Sequence, residues 1–497
     1  SDWGGGWTPN PRGSVFTLRP PESALGAAER AALAEVQALC RGGAAEQQSA
    51  RLLELLGHGD RRARFAAQRE LARRSGSELA GLAALLANAA QPPLARLHAL
   101  WAIGDLARRD PAWIEPLVQT LEAADGLLRA RAAQALANLF DAPTREQANQ
   151  SAAPRLIAAL HDADPRVARE SALAIGRLGI RDAKAALLDL AERLDAVFER
   201  DRAARAALAG GPPSGPGSPQ PASAAAGALA GDRALSSGEP SGPARELSQS
   251  VVRQAVAAAL EDLVPAAEDL ELSAARGPGA RLALCLALGR VGSPLLAALL
   301  EDQEPRVAIE ALRLIYDRAF RHPALKALWP RLAEALERPL PAGWPAEPVW
   351  RRAIEAAQQL GGPRGAELLL AFASRPDLGP EWRRLALERL GEFGRPAARE
   401  GVWGHLVEPP ERSAAELTRL LDSHSARLLE ACAGDREAEA LASTLLVRHG
   451  PPRSAEELLA GLGRLTEGPA ARLVMFEQLW SASRELRVPA ALRVLSR

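Results

Sequence analysis

Lysine, tyrosine, methionine and cysteine are almost missing from this chain of 497 residues. It holds one tyrosine, one methionine and three cysteines, and Lys184 and Lys326 are its only lysines. The cysteines, Cys40, Cys285 and Cys432, lie far apart, and none belongs to a Cys-x-x-Cys or Cys-x-x-Cys-His arrangement. Neither a disulfide framework nor a haem attachment is written here. Cys285 sits in the apolar run 282–288, which reads as a buried small hydrophobe rather than a reactive thiol. Aromatics make up 4% of residues, so good strand formers are scarce. Neither sign of charge is in excess, with 61 basic and 61 acidic residues. No global field draws the chain to nucleic acid or to anionic lipid, and nucleic acid is not expected as a partner. No apolar run approaches the roughly 20 residues that span a bilayer, so direct membrane insertion is not expected. The start at Ser1, without a charged, apolar, cleavable leader, suggests a mature or excised soluble segment.

Chemistry-bearing motifs are equally sparse. The seven histidines include no pair at i, i+4 and no His-x-His, so no metal site is signalled. A phosphate-binding Gly-x-x-x-x-Gly-Lys-Ser/Thr loop, a strand-borne Gly-x-Gly-x-x-Gly and a Gly-x-Ser-x-Gly elbow are all missing. No catalytic, cofactor-binding or metal-binding residue is therefore expected, and no cofactor.

What is present is alanine, leucine and arginine in a repeating order. Leu156-Ile-Ala-Ala-Leu160-His-Asp-Ala-Asp164-Pro165-Arg166-Val167-Ala168 recurs without gaps as Leu296-Ala-Ala-Leu-Leu300-Glu-Asp-Gln-Glu304-Pro305-Arg306-Val307-Ala308. The same frame fits Leu117 to Leu121 with Asp125, and Leu52 to Leu56 with Asp60, and another copy begins near Leu82. Each copy predicts a helix with leucines four apart, an acidic turn, and a second helix with small residues on one face. The turn acid is placed to cap the second helix, with Pro165 and Pro305 in its first turn. Asp162 and Asp164 are therefore read as turn and cap residues rather than as an acid/base pair. In the second helices, 96–104, 131–139 and 169–178, alanine and glycine stand where neighbouring hairpins approach closely. Stability must come from stacking, because one hairpin cannot cover its own apolar face.

At these residues the chain resembles the HEAT-repeat superfamily, including bacterial variants known as lyase-like HEAT repeats. The resemblance is clear over 50–195 and 281–320. It implies an all-α fold, a right-handed α-solenoid (superhelix) of HEAT-type helical hairpins with a short N-terminal extended segment.

Four segments are expected. Residues 1–24 form an extended segment, with 13–18 alternating like one strand; 25–208 form an N-terminal repeat array. A Gly/Pro/Ser/Ala-rich insertion over 209–247 lacks the apolar residues needed to order itself; 248–497 form a C-terminal helical-repeat array, with irregular helices starting near Pro348, Pro380, Ser413 and Ser454. The tryptophan- and glycine-rich start, the Gly-x-Val-Phe-x-Leu segment and the run Ala95 to Gly104 together resemble bacterial multidomain proteins of the membrane-bound dehydrogenase type. There a sugar-dehydrogenase-like propeller runs into a HEAT array followed by a c-type haem domain. The quinone and haem chemistry of that family has no residues to rest on in this chain.

Three further features are weighed. His98 and Trp101 share a second helix and are read as packed residues rather than a recognition patch. Arg61, Arg62, Arg64, Arg69, Arg73 and Arg74 are the densest basic cluster and are read as a solvated helix face rather than an anion site. Trp344, Trp350 and Trp382 offer aromatic anchors if exposed, although packing is the default for tryptophan. The expected function is a non-catalytic scaffold or interdomain module that docks a protein partner or neighbouring domains. Its expected setting, by resemblance, is a larger exported redox protein in the periplasm, and otherwise the cytoplasm. The alternative is a lyase-like HEAT enzyme or subunit handling a chromophore, in which His98, Cys285 or the turn acids do chemistry.

Overall fold

The computed structural model describes residues 26–74, 80–208, 243–341, 343–393, 397–408 and 413–450. Among them the chain is helical, with no strand and one isolated bridge between Arg399 and Leu406. The expected extended segment 1–24 and the helix start at Ser454 lie outside these residues, as does most of the 209–247 insertion. Its last five residues are different, because a helix begins at Pro243. No helix among the described residues is long and apolar enough to cross a membrane.

The chain divides into two compact units, residues 1–183 and 184–497. Helix 184–208 belongs to the second because it packs on the helices that follow it, 243–262 and 278–291.

In the first unit the helices are α1 (Ala27–Ala38), α2 (Ser49–Leu55), α3 (Arg61–Arg73), α4 (Ala80–Ala87), α5 (Pro93–Ala107), α6 (Ile114–Thr120), α7 (Gly126–Ala137), α8 (Arg145–Ala159) and α9 (Pro165–Leu178). Four hairpins, α2/α3, α4/α5, α6/α7 and α8/α9, are each closed by a turn of five residues. Leu52, Leu56, Leu82, Leu117 and Leu156 are fully buried, as their spacing predicts. Each such leucine contributes about 2 kcal/mol by leaving water. The second helices pack in order, α3 on α5, α5 on α7 and α7 on α9. Gly104 on α5 marks how closely they approach, since a methyl group there would touch the Ala135 side chain of α7 at 3.4 Å.

The turns do what their acids imply. Asp60, Asp125 and Asp164 each accept a hydrogen bond from the amide two residues on, at 2.7, 2.8 and 2.9 Å. Asp162 reaches further: besides capping the Asp164 amide, it takes a two-pronged contact from Arg129, on the preceding second helix, at 2.7 and 2.9 Å. The same Arg129 guanidinium donates to the Ala123 and Ala124 carbonyls of its own turn. Turn and neighbouring hairpin are thereby joined by one side chain.

This arginine recurs at a fixed place, four residues after the helix cap. Arg64, Arg96, Arg129, Arg281 and Arg383 follow caps at Asp60, Pro92, Asp125, Gly277 and Gly379. Arg64, Arg129, Arg281 and Arg383 donate to carbonyls of the preceding turn, and Arg96 to the Leu86 carbonyl near the end of the preceding helix. Part of the basic cluster 61–74 is accordingly structural: Arg64 closes its turn, and Arg74 binds Glu70, Ser49 and the Gln47 carbonyl.

In the second unit the helices are α10 (Lys184–Leu208), α11 (Pro243–Asp262), α12 (Ala267–Ala274), α13 (Pro278–Val291), α14 (Pro305–Arg318), α15 (Trp329–Ala333), α16 (Ala346–Leu360), α17 (Gly362–Ala373), α18 (Pro380–Gly391), α19 (Ala414–Cys432) and α20 (Arg436–His449). A ladder runs α13, α14, α16, α18, α20, with α17 and α19 packed alongside. Asp302 repeats the role of Asp162, binding Arg281 at 2.7 and 3.2 Å and the Glu304 amide at 2.9 Å. Gly292 ends α13 in the left-handed conformation (φ 68°), where a side chain would also run into the His322 ring. Trp350 and Trp382 are buried against each other and Phe372, so the expected anchors are core; Trp344 is half-buried.

Candidate functional site

The face of the first unit made by its second helices carries the side chains with most to offer a ligand. Phe65 (α3), His98 and Trp101 (both α5) form a row of edge-to-face rings, with centroids 5.1 and 5.0 Å apart. His98 is buried between the others, 3% exposed, while Phe65 stays 41% exposed and Trp101 half-buried.

The state of His98 follows from its partners. Arg64 Nε donates to Nε2 at 3.1 Å, and a guanidinium can only donate, so Nε2 accepts and the proton sits on Nδ1. Nδ1 then donates to Gln68 Oε1 at 2.7 Å. Burial, and then the Arg64 charge, pull the imidazole down to about 4 from its ordinary 6.5, so it is neutral at physiological pH. His98 is a hydrogen-bonded packing residue, as the sequence suggests. It is also the fixed base between two aromatic rings that remain reachable.

On one side of this row, between α5 and α7, lies a pocket of about 220 Å³. Gly104 and Ala135 form its floor, and Trp101, Asp105, Arg108, Arg131, Gln134 and Asn138 surround it. The close approach at Gly104 is what leaves the hollow. Arg131 donates to Gln134, and Arg108 pairs with Asp141 at 2.9 Å. Asp105 accepts no hydrogen bond among the described residues. The neighbouring walls withhold water from its carboxyl and raise it above the usual range, against the pull of Arg108 and Arg109.

On the other side of the row, against α3, is a wider pocket of about 690 Å³. Leu39, Cys40 and Ala44 line it opposite Arg61, Phe65, Arg69 and Arg73. Phe65 lines the wider pocket and Trp101 the smaller one, so the aromatic row runs from one to the other across α3 and α5.

A second polar concentration, in the second unit, is closed upon itself. Glu400, 3% exposed, accepts from the Tyr316 hydroxyl at 3.0 Å and from the amides of Val402, Trp403 and His405 at 2.7, 2.7 and 2.9 Å. Burial first, and then Glu355 and Glu400, raise the Tyr316 hydroxyl far above its ordinary value. Glu355 pairs with Arg389, and Asp317 accepts from both Arg352 and the Trp403 indole. These carboxylates hold a loop in place. They also present Trp403 and Leu406 to solvent, 57% and 72% exposed, two apolar side chains the sequence did not single out.

The residues weighed for catalytic chemistry are each buried or engaged. Cys285 is fully buried on α13, where loss of water raises its thiol well above the ordinary range. Its unit is not that of His98. Asp162 is engaged by Arg129. Among the described residues no three His, Cys, Asp or Glu side chains gather as a metal site.

Stacked hairpins with capped five-residue turns define an all-α solenoid protein. Residues 114–209 match the family model of HEAT repeats, which covers α6 to α10. No curated protein matches the sequence. Among solved structures, Kap121p aligns at 14% identity and a TM-score of 0.43, over 90% of this chain and 47% of its own. Importin beta aligns at 12% and 0.39, over 92% of this chain and 65% of its own. The chain thus spans about half the length of Kap121p and less than two thirds of importin beta. Overlaps this loose pair no residue of one chain with a residue of the other.

Proposed function

We propose that the chain is a non-catalytic scaffold that docks a segment of a protein partner at the aromatic row of α3 and α5 and the two pockets beside it. One observation carries this reading: an accessible aromatic pair, Phe65 and Trp101, is fixed by the neutral His98 between two polar-walled pockets. Rigid aromatic anchors with a polar surround are what protein interfaces concentrate at their centres. The burial of Cys285 and the engagement of His98 and Asp162 favour docking over the lyase-like alternative. A place within a larger exported redox protein rests on residues 1–24 and 95–104 alone. The full open reading frame tests it, through an upstream propeller and a downstream Cys-x-x-Cys-His.

Photo-crosslinking tests the docking itself. A benzophenone side chain at Gln134, in the smaller pocket, captures a discrete protein from extracts of the source cells. The same group at Gln147, exposed on α8, does not, and Asp105→Arg abolishes the Gln134 adduct. Equal adducts at both sites, or none at Gln134, refute the proposal.

A further inference from the structure

The exposed arginines of α3 fall on one i, i+4 ridge, inclined to the helix axis by about 26°. Arg61, Phe65, Arg69 and Arg73 are four residues apart, and all four are exposed. Their basic neighbours are otherwise engaged: Arg62 binds its own cap Asp60, Arg64 the turn carbonyls and His98, and Arg74 Glu70. Arg61, Arg69 and Arg73 make no ion pair or hydrogen bond among the described residues. They border the pocket of about 690 Å³ whose opposite wall is Leu39, Cys40 and Ala44. The sequence reading of a solvated face therefore fits Arg61, Arg69 and Arg73 and not the engaged Arg64 and Arg74. Half of it is structure, and the rest is an unbalanced positive edge on a chain of zero net charge.

We infer that this edge binds an extended acidic segment of a partner protein, with acids and one apolar residue at alternate positions. The inference rests on the docking reading and specifies its partner. The spacing sets the pattern. Positions four apart on a helix are about 6 Å apart along its axis. Alternate residues of an extended chain recur at about 6.6 Å on one side. A segment laid along this ridge, parallel to α3, thus offers acid, apolar, acid and acid at every second residue to Arg61, Phe65, Arg69 and Arg73. The guanidiniums take carboxylates in two-pronged contacts, and Phe65 takes the apolar side chain.

No stretch of seven residues outside the described ones holds three acids; 1–25 has only Asp2 and Glu22, balanced by Arg12 and Arg19. A peptide is favoured over a nucleic acid because the positive edge is one helix long and has an apolar residue within it. A polyanion without apolar side chains leaves Phe65 and the pocket unfilled.

The test uses the whole chain and a fluorescent peptide, Asp-Ser-Leu-Ser-Asp-Ser-Glu. Anisotropy shows saturable binding that weakens as salt is raised. A peptide of the same composition with its three acids adjacent binds at least fivefold more weakly. The combined Arg61→Glu, Arg69→Glu and Arg73→Glu variant loses at least tenfold, and Phe65→Ala several-fold. Bound peptide slows alkylation of Cys40 by iodoacetamide, the one exposed cysteine, while buried Cys285 and Cys432 stay unreactive. Circular dichroism confirms that the variants fold. Equal binding of the rearranged peptide overturns the pattern. Binding unchanged in the triple variant overturns the site. An oligonucleotide of equal charge that binds more tightly, and is lost in the same variant, assigns the edge to nucleic acid instead. A crosslink at Gln134 that survives the triple variant leaves docking at the aromatic row intact while the acidic segment fails.

Discussion

Acidification should loosen the first unit through His98. The imidazole is held neutral by burial and by Arg64, whose Nε–H occupies the only lone pair a proton could take. Its folded value is about 4, against an ordinary 6.5. A base whose value is lowered by folding supports the fold fully above its unfolded value. That support is lost as the pH falls from about 6.5 toward about 4. A shift of this size corresponds to about 3 kcal/mol in total, of which about 2 kcal/mol is gone by pH 5. Other groups titrate in the same range, so the measurement must isolate the ring. With histidines labelled at Cε1, the His98 resonance stays at its neutral position through pH 5. Urea unfolding at pH 7.5 and 5 then gives a loss about 2 kcal/mol greater for the native chain than for His98→Phe, which keeps the ring stack but cannot ionise. A His98 resonance that titrates near 6.5, or equal losses in both proteins, refutes the tautomer and the burial argument together.

Two changes test the stack. Asp162→Ala strips Arg129 of its carboxylate in a partly buried pair (19% and 13% exposed), and is expected to cost about 2–3 kcal/mol in urea titrations. Asp60→Ala, which removes a cap and an exposed pair, costs about 1 kcal/mol, and equal costs would deny the inter-hairpin bond any weight. Ala174→Arg places a charged side chain at a fully buried position on α9 and costs more than about 2 kcal/mol; a native-like melting temperature would mean that the hairpin frame is wrong.

The hairpins were legible because their determinants are local. Leucines four apart, a turn acid and a following proline lie within a few residues of one another, and α18 and α19 begin where Pro380 and Ser413 indicate. The tryptophans were less so. Trp350 and Trp382 are buried because α16 and α18 bring them together, whereas Trp403 stays exposed on a loop tied down by Tyr316, through Glu400, and by Asp317. Those outcomes depend on partners tens of residues away. The site is half legible: His98, Trp101 and Asp105 share one helix, but Phe65 joins them only once α3 packs on α5, and the Asp105 carboxyl is raised only by the walls around it.

The arginines show why the remainder stayed hidden. With lysine almost missing, arginine serves every basic role, and its frequency conceals its positions. A signal was present, since an arginine stands four residues after five of the helix caps, and aligning the repeats on their caps would have exposed it. Only the guanidinium fork fits that place, because Arg129 must reach two turn carbonyls and both oxygens of Asp162 at once. A lysine there, with one ammonium centre, gives up either the turn or the neighbouring hairpin. The same fork explains the contrast within α3. At Arg64 the turn uses the donors up, whereas Arg61, Arg69 and Arg73 stand where no turn or acid meets them. Their charge is left for something outside the chain.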